Sequence, residues 1–185
     1  IYGCERSSLM DRVKRCMHIY CGDGKGKTTA AVGLAVRAAG YNMKVMFCQC
    51  MKDGRSSEVH MLQSIGVTCC FCPEHFGFFW NMTEEQKEQA KAAYTKLFLD
   101  AAARATKEKY DLLIVDEFMS AYNHGLIDQK KALDFLIHRP EHLEIVLTGR
   151  DPGEELLELA DYVTEMKKIK HPFDQGVPAR KGIEM

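Results

Sequence analysis

Long apolar runs are missing from this 185-residue sequence, since none approaches the roughly 20 residues of a membrane-spanning helix. The first residues also lack the apolar core of a signal peptide, which argues against secretion. Neither sign of charge dominates, because the net charge is only -1 at pH 7. No overall basic field therefore draws the chain to nucleic acid or to an anionic membrane. These absences predict a cytoplasmic protein with no nucleic-acid or membrane partner.

Internal repeats, low-complexity tracts and linkers are absent as well. A chain of this length that is 46% hydrophobic suits one domain with a sizeable core, because ordinary domains have about 100–200 residues. We expect a polar lead-in at residues 1–15 and a single domain at residues 16–185. Met10 offers an alternative start, so the first nine residues need not be native.

The eight cysteines are many for this length, yet their spacing does not favour a metal site. Cys69, Cys70 and Cys72 lack the second, separated ligand pair of a zinc finger. Several cysteines lie in apolar, strand-like runs, where a thiol packs as a small hydrophobe. A large core also needs few disulfides. We interpret the cysteines as structural thiols of a reduced protein.

Apolar strand candidates alternate with helix candidates along the chain. The strand candidates are residues 16–21, 44–50, 67–72, 111–115, 143–147 and 162–166. The helix candidates are residues 28–39, 56–63, 83–109, 129–138 and 154–160, and Thr83 with Gln86 forms a capping-box pattern at the start of the longest. The strands lack polar alternation, as expected when helices cover both faces of a parallel sheet. The pattern predicts a three-layer α/β fold with a mostly parallel sheet flanked by helices.

A glycine-rich loop separates the first strand candidate from the first helix candidate. It ends in Gly-Lys-Thr, as the phosphate-binding pattern G-x-x-x-x-G-K-[ST] does, although Cys21 holds the position of the first glycine. Glycines let backbone N–H groups turn onto phosphate oxygens, and the following helix adds the positive end of its dipole. The residues expected to bind the nucleotide are Gly22, Asp23, Gly24, Lys25, Gly26, Lys27, Thr28 and Thr29. Gly22 and Gly24 keep the loop flexible despite the imperfect match. An ordinary strand–helix turn that is rich in glycine is the alternative to this P-loop NTPase or RecA-like site.

Two acidic residues, Asp116 and Glu117, follow the most apolar strand candidate. They lie at the carboxyl end of that strand, on the sheet edge where ligands gather in open α/β folds. Mg²⁺ keeps several waters and takes one or two carboxylates with phosphate, so only one of the two acids need be a direct ligand. A solvated strand end is the alternative. Together with the loop, the pair predicts nucleotide binding but leaves the reaction open, because many reactions use this fold.

The segment from Gly22 to Ala31, GDGKGKTTAA, resembles the phosphate loop of the ATP:corrinoid adenosyltransferases of the cobalamin-salvage type, which also lack the first glycine. The tail from Lys170 to Glu184 is similar to that family's ending, K-H-x-F-x-x-G-x-x-A-x-x-G-I-[DE]. The resemblance covers about residues 17–185. Further matches are Arg37-Ala38, Gln49, Lys52, Glu58, residues 77–80, residues 115–117, residues 148–150 and residues 161–165.

The resemblance implies an enzyme that transfers the 5′-deoxyadenosyl group of ATP to the cobalt of a Co(I) corrinoid and releases triphosphate. ATP, Mg²⁺ and the corrinoid are then its ligands, and adenosylcobalamin synthesis or salvage is its pathway. A reduced flavin or a flavodoxin-like electron donor and a homodimer are expected on the same grounds. A P-loop ATPase or kinase with another substrate, or a non-catalytic corrinoid- or ATP-binding regulator, is the alternative.

Under this resemblance, Lys27 and Thr28 serve the triphosphate and Mg²⁺. Glu117 is the first choice for the carboxylate ligand of Mg²⁺, and Asp116 is the second. Further candidates for contact with the ligands, each with a structural or solvated role as the alternative, are Arg37, Arg150 and His171.

An aromatic loop carries the remaining part of the resemblance. Phe78 and Trp80 are predicted catalytic residues, because aromatics of this loop in the family wedge against the corrin and exclude the lower axial ligand of cobalt. Large, stiff, apolar rings suit this task. The alternative is a loop that plugs the domain core. Lys27, which serves the triphosphate, is the third predicted catalytic residue. Two departures from the family pattern, Cys50 for an aromatic and Ser57 for a glycine, lie near the expected ligand side.

Overall fold

A sheet of six strands lies at the centre of the molecule. The computed structural model describes residues 14–52, 54, 56–74, 76–77 and 79–184. Its strands are β1 (Met17–Cys21), β2 (Val45–Gln49), β3 (Thr68–Phe71), β4 (Leu112–Asp116), β5 (Glu144–Thr148) and β6 (Tyr162–Glu165). The spatial order is β3-β2-β4-β5-β1-β6, and every neighbouring pair is parallel. The polar lead-in expected at residues 1–15 lies almost wholly outside the described residues.

Among the described residues, α-helices connect the strands. They are α1 (Lys27–Gly40), α2 (Ser57–Ser64), α3 (Glu84–Lys107), α4 (Phe118–Asn123), α5 (Gln129–Ile137) and α6 (Glu154–Leu159), with short 3-10 helices at Phe79–Asn81 and Pro172–Gln175. Within the described part of the chain, no helix is long and apolar enough to cross a membrane.

Two apolar cores, one on each face of the sheet, give the molecule its three layers. Neighbouring residues of each central strand alternate between them, so Ile114 of β4 packs with α1 and α2. Leu113 and Val115 face the opposite core with α3, α4, α5 and α6. In that second core the ring of Phe98 lies 5.4 Å from the ring of Phe118, and its truncation to alanine should cost about 3–5 kcal/mol of stability. The predicted α/β class and its three layers are confirmed.

Local sequence signals explain most of the element boundaries. Thr83 and Gln86 form the predicted capping box, since the Thr83 hydroxyl accepts from the Gln86 N–H at 3.2 Å and the Gln86 side-chain Oε1 accepts from the Thr83 N–H at 2.9 Å. Lys109 takes a left-handed backbone angle, φ 52°, so α3 ends two residues earlier than expected. The sequence did not predict α4, since no side-chain cap marks its start and Glu117 enters it with a left-handed backbone.

The cysteines that the structure describes are free thiols, and Cys48, Cys50 and Cys72 are buried in the core. Burial raises the pKa of Cys69 to about 11, so this thiol stays protonated near neutral pH. In the described residues, no group of three or more His, Cys, Asp and Glu side chains is placed to hold a metal ion. The burial of these cysteines agrees with the prediction that their thiols pack as small hydrophobes.

The strand order brings three separate parts of the sequence to one edge of the sheet. β5 lies between β1 and β4, with Thr148 opposite Tyr20 and Leu147 opposite Val115. All three strands are parallel, so the glycine-rich loop, Asp116 and the end of β5 meet at their carboxyl ends. This is the edge where open α/β sheets bind ligands.

Candidate active site

The glycine-rich loop leads directly from β1 into α1. Gly22 and Gly26 have φ angles of 101° and 124°, which lie in the region that side chains rarely adopt. Gly26 caps α1, and the first turn of the helix carries no acidic side chain. The N-terminal N–H groups and the helix dipole therefore favour an anion at this end.

The loop also packs against the chain that continues from β6. The Gly24 N–H donates to the Met166 carbonyl oxygen at 2.6 Å. A Cβ atom would lie 2.6 Å from that oxygen if added to Gly22, and 2.5 Å if added to Gly24. These two glycines are required because two backbone segments approach closely, which differs from the loop flexibility that the sequence suggested.

A cavity of about 850 Å³ lies in front of the loop, a size typical of small-molecule sites. Every residue from Asp23 to Thr29 lines it, together with Glu117, Arg150 and His171. The tail reaches the same cavity through residues 182–184, and Lys25 Nζ donates to the Ile183 carbonyl oxygen at 3.1 Å. The structure thus gathers most of the predicted nucleotide-binding residues around one space.

Lys27 lies curled over the loop. Its Nζ donates to the Gly22 carbonyl oxygen at 2.7 Å and to the Gly24 carbonyl oxygen at 2.8 Å. Burial first, and then the nearby charge of Arg150, lower the pKa of Lys27. Phosphate oxygens at this place would favour the charged ammonium, because an opposite charge stabilises the ionised form.

Asp116 is fully buried beneath the cavity and joins three elements. Its Oδ1 accepts from the Thr28 hydroxyl at 2.9 Å and from the Thr148 hydroxyl at 2.7 Å. Its Oδ2 accepts from Lys52 Nζ at 3.2 Å. The structure therefore brings Thr28 and Asp116 together across 88 residues of sequence.

Glu117 is placed differently from its neighbour. It has a left-handed backbone, with φ 57° and ψ 24°, and its side chain lines the cavity. Its N–H donates to the Thr148 hydroxyl at 3.0 Å, and its Oε2 accepts from the Ser120 hydroxyl at 2.9 Å. A threonine hydroxyl with nearby carboxylates is the hard oxygen donor set that suits Mg²⁺. The donor set fits a magnesium ion bound together with phosphate.

Lys52 and Glu58, which line the cavity, belong to a polar network whose members the sequence showed only as matches to the family pattern. Gln49 Nε2 donates to Glu58 Oε1 at 2.8 Å, and Lys52 Nζ lies 3.5 Å from the same oxygen. Burial lowers the pKa of Lys52, but the charges of Asp116 and Glu58 outweigh burial and leave that pKa raised. Gln49 Oε1 is buried without a hydrogen-bond partner among the residues that the structure describes. No role was assigned to these side chains beforehand, because residue type alone does not reveal a shared network.

The aromatic loop is anchored by some of its rings and exposes another. Phe76 lies 5.7 Å from the ring of Tyr94, and Phe79 lies 4.5 Å from the ring of His124. Trp80 is 73% exposed, whereas Phe78 lies outside the described residues. The alternative of a loop that plugs the core thus fits Phe76 and Phe79, which pack against it, and the catalytic role of Trp80 stays a prediction.

Not every predicted contact residue reaches the cavity. Arg37 is exposed in the last turn of α1, roughly 15 Å along the helix from Lys27 at 1.5 Å per residue. It is not among the described residues that line the cavity, unlike Arg150 and His171. The His171 Nδ1 accepts from the Phe173 N–H at 3.2 Å, so this ring also caps a short 3-10 helix.

Comparison with known proteins places this geometry in context. The family model described as ATP:corrinoid adenosyltransferase BtuR/CobO/CobP matches residues 13–185. The corrinoid adenosyltransferase of Escherichia coli K12 is 34% identical over 169 residues, which is 90% of this chain and 83% of that protein. The Pseudomonas aeruginosa protein of the same name is 33% identical over 168 residues, covering 90% and 81%. The corrinoid adenosyltransferase CobA of Salmonella typhimurium is 33% identical over 169 residues, covering 90% and 83%.

Among solved structures, domain III of the replication initiation protein DnaA of Thermotoga maritima has a TM-score of 0.37 at 13% identity. The alignment covers 86% of this chain and 58% of that chain. A likeness this weak supports no argument about function.

Proposed function

The chain belongs to the ATP:corrinoid adenosyltransferase family, and from that premise we propose how its cavity serves the family's reaction. It is an enzyme that transfers the adenosyl group of ATP to a corrinoid. In the proposed step, the cobalt of a Co(I) corrinoid attacks the 5′ carbon of ATP. The bond between this carbon and its phosphate oxygen breaks, and the electron pair of that bond leaves with inorganic triphosphate. Cobalt supplies both electrons of the new bond, so the protein needs no nucleophile of its own.

The triphosphate is held by the glycine-rich loop in this proposal. The observation that carries it is the convergence of the α1 N-terminus, Lys27 and Arg150 on one cavity. Negative charge builds up on the leaving triphosphate as the carbon–oxygen bond breaks. Preorganised N–H groups and cations stabilise such charge more effectively than water does. Lys27 therefore acts on the leaving group, and ATP lies with its 5′ carbon facing the corrinoid.

Magnesium binding is part of the same proposal. Thr28 and Glu117 would hold the ion, because the Thr28 hydroxyl lies at the start of α1 and the Glu117 side chain lines the cavity. Mg²⁺ would supply positive charge to the triphosphate. Asp116 is less suited to direct contact, because it is buried and both of its oxygens already accept hydrogen bonds.

We assign the corrinoid side of the site to the aromatic loop. Trp80 is a large apolar ring with 73% of its surface exposed, and a flat apolar ring suits contact with a corrin face. Phe79 and Lys87 support the loop, since the Lys87 ammonium lies 5.0 Å from the centre of the Phe79 ring. Phe78 and Trp80 would exclude the lower axial ligand of cobalt and ease its reduction.

The test of this function is whether ATP consumption depends on the corrinoid. Under anaerobic conditions with Mg²⁺, the enzyme should consume ATP only when a reduced corrinoid is present. Consumption of ATP to ADP or phosphate without corrinoid would indicate a P-loop ATPase or kinase. Binding of both ligands without any consumption would indicate a regulator. A panel of cobalamin, cobinamide and earlier corrinoids would identify the preferred substrate.

A homodimer is a further proposal, and β6 offers a surface for it. β6 is an edge strand exposed along its length. Val163 is 48% exposed, and Ile169 and Phe173 in the following tail are 85% and 73% exposed. Exposed strand edges and apolar side chains favour association with another chain. Val163→Lys should shift light-scattering mass from dimer to monomer, whereas a monomeric wild-type protein would refute the dimer itself.

The electron donor is the last element of the proposal. A reduced flavin or a flavodoxin-like protein would reduce the bound Co(II) corrinoid. Formation of Co(I) should then proceed with reduced flavin alone or with flavodoxin, and failure with both would point to another donor. A cytoplasmic location stays a prediction.

A further inference from the structure

Thr148 ends β5 between the strand that carries the phosphate loop and the strand that carries the acidic pair. It is only 1% exposed and lies opposite Tyr20 of β1. Its hydroxyl donates to Asp116 Oδ1 at 2.7 Å and accepts from the Glu117 N–H at 3.0 Å. A hydroxyl has one proton to donate and lone pairs to accept with, so it satisfies both bonds at once. One side chain of β5 therefore bonds to both acidic residues.

The Glu117 backbone is a part of the site that needs such support. A left-handed conformation is unfavourable for a residue with a Cβ, and it persists only where the surroundings hold it. At Glu117 this turn takes the chain from the buried Asp116 to a side chain that lines the cavity. The bond to Thr148 fixes the N–H of the turn on the side of the sheet.

Thr148 is itself held in place by the close packing of Gly149, the next residue. Gly149 has φ 145°, and a Cβ added there would lie 2.5 Å from Met119 Cβ in α4. The end of β5 and the start of α4 are therefore in close contact. Thr148 therefore has little freedom to move relative to the Glu117 turn.

Asp116 is the second acidic residue that the Thr148 hydroxyl contacts. Its Oδ1 is shared by the hydroxyls of Thr28 and Thr148, and its Oδ2 accepts from Lys52. These donors hold the buried carboxylate in place, and the carboxylate in turn sets the direction of the Thr28 hydroxyl. Thr148 thus contacts one proposed magnesium ligand, Glu117, directly and reaches the other, Thr28, through Asp116. Thr148 itself does not line the cavity.

We propose that Thr148 is a positioning residue of the magnesium site. Its hydroxyl fixes the left-handed turn that presents Glu117 and orients Asp116 toward Thr28. This inference rests on the proposed role of Thr28 and Glu117 in holding Mg²⁺. Removing partners that orient metal ligands weakens metal affinity about 10–100-fold in known sites.

The test compares Thr148→Val, which removes the hydroxyl at nearly constant shape, with Thr148→Ser, which keeps it. Calorimetric titration measures ATP binding with chelator and across a range of Mg²⁺ concentrations. We expect T148V to raise the half-saturating Mg²⁺ concentration by about 10-fold or more. Its ATP affinity without Mg²⁺ should stay close to that of the wild type, and T148S should restore the Mg²⁺ dependence.

Thr164→Val is the matched control, because Thr164 flanks Tyr20 on the other side of β1 and is exposed. T164V should leave the Mg²⁺ dependence unchanged. Unchanged Mg²⁺ dependence in T148V, or an equal loss of ATP affinity with and without Mg²⁺, would overturn the proposal in favour of a purely structural threonine. If T148V does not fold, the same titration of Thr148→Ala decides between these outcomes.

Glu117→Gln separates this inference from its premise. If E117Q loses Mg²⁺-dependent binding and T148V does not, only the role of Thr148 is wrong. If E117Q keeps wild-type Mg²⁺ dependence, the assignment of Glu117 as a magnesium ligand is wrong, whatever T148V does.

Discussion

Lys52→Met tests the charge balance around Asp116. Lys52 Nζ lies 3.2 Å from Asp116 Oδ2, and the carboxylate is fully buried. A hydrogen bond to a charged group contributes about 1.5–3 kcal/mol. The Lys52 side chain is 33% exposed, so solvent screening places the expected loss in the lower part of this range, at about 1.5–2 kcal/mol. For a domain of this size, that loss corresponds to a fall in Tm of about 3–8 °C.

The assay is thermal unfolding with and without Mg–ATP. The Tm difference between K52M and the wild type should shrink in saturating Mg–ATP, because a cation bound beside Asp116 then compensates part of the missing charge. Lys96→Met is the control, since Lys96 pairs with Asp100 on the surface, where side chains are 74% and 66% exposed. Such pairs contribute about 0–1 kcal/mol. A K52M protein with the Tm of the wild type would refute the view that Lys52 compensates Asp116.

Three further predictions concern the loop, the aromatic face and pH. Lys27→Ala should lower ATP affinity and turnover together, because its charge acts on the triphosphate; unchanged kinetics would remove Lys27 from that role. Trp80→Ala should spare ATP binding measured by calorimetry but slow Co(II) reduction measured by absorbance, and equal loss of both would indicate that Trp80 supports the site as a whole rather than the corrin contact. Hydrogen bonds from Lys14 and from the Met17 N–H hold the pKa of Asp161 below its usual value. This stabilisation is present above the unfolded-state pKa of about 3.9 and is lost as pH falls through the lower folded-state pKa. Asp161→Asn should therefore lower Tm at pH 7, with a difference that shrinks as pH falls below the unfolded-state pKa and through the lower folded-state pKa; a difference independent of pH would contradict the charge argument.

The sequence predicted β1, β2, β4 and β5 well because each is a short, largely apolar run bounded by polar residues or glycine. The buried pattern of β2 and β4 follows directly from their apolar composition. Helix α3 was equally clear, since Thr83 and Gln86 signal its start. These features depend on local sequence, which is why composition and spacing were enough.

The arrangement of the site depends on contacts that local sequence does not encode. The neighbours Asp116 and Glu117 have the same chemistry, yet one is buried and the other lines the cavity because of a left-handed turn. Thr148 lies 32 residues from Asp116 along the chain, and only the strand order brings the two together. Arg37 illustrates the opposite outcome, since its place in α1 directs it away from the cavity.

The central claim is that the cavity grips the triphosphate of ATP while the 5′ carbon is transferred to cobalt. The most direct test is one anaerobic reaction with Mg–ATP and a Co(I) corrinoid, in which both products are measured. The account predicts a corrinoid spectrum with a light-sensitive carbon–cobalt bond and one inorganic triphosphate for each bond formed. Release of ADP or phosphate in place of triphosphate, or triphosphate without a carbon–cobalt bond, would contradict it.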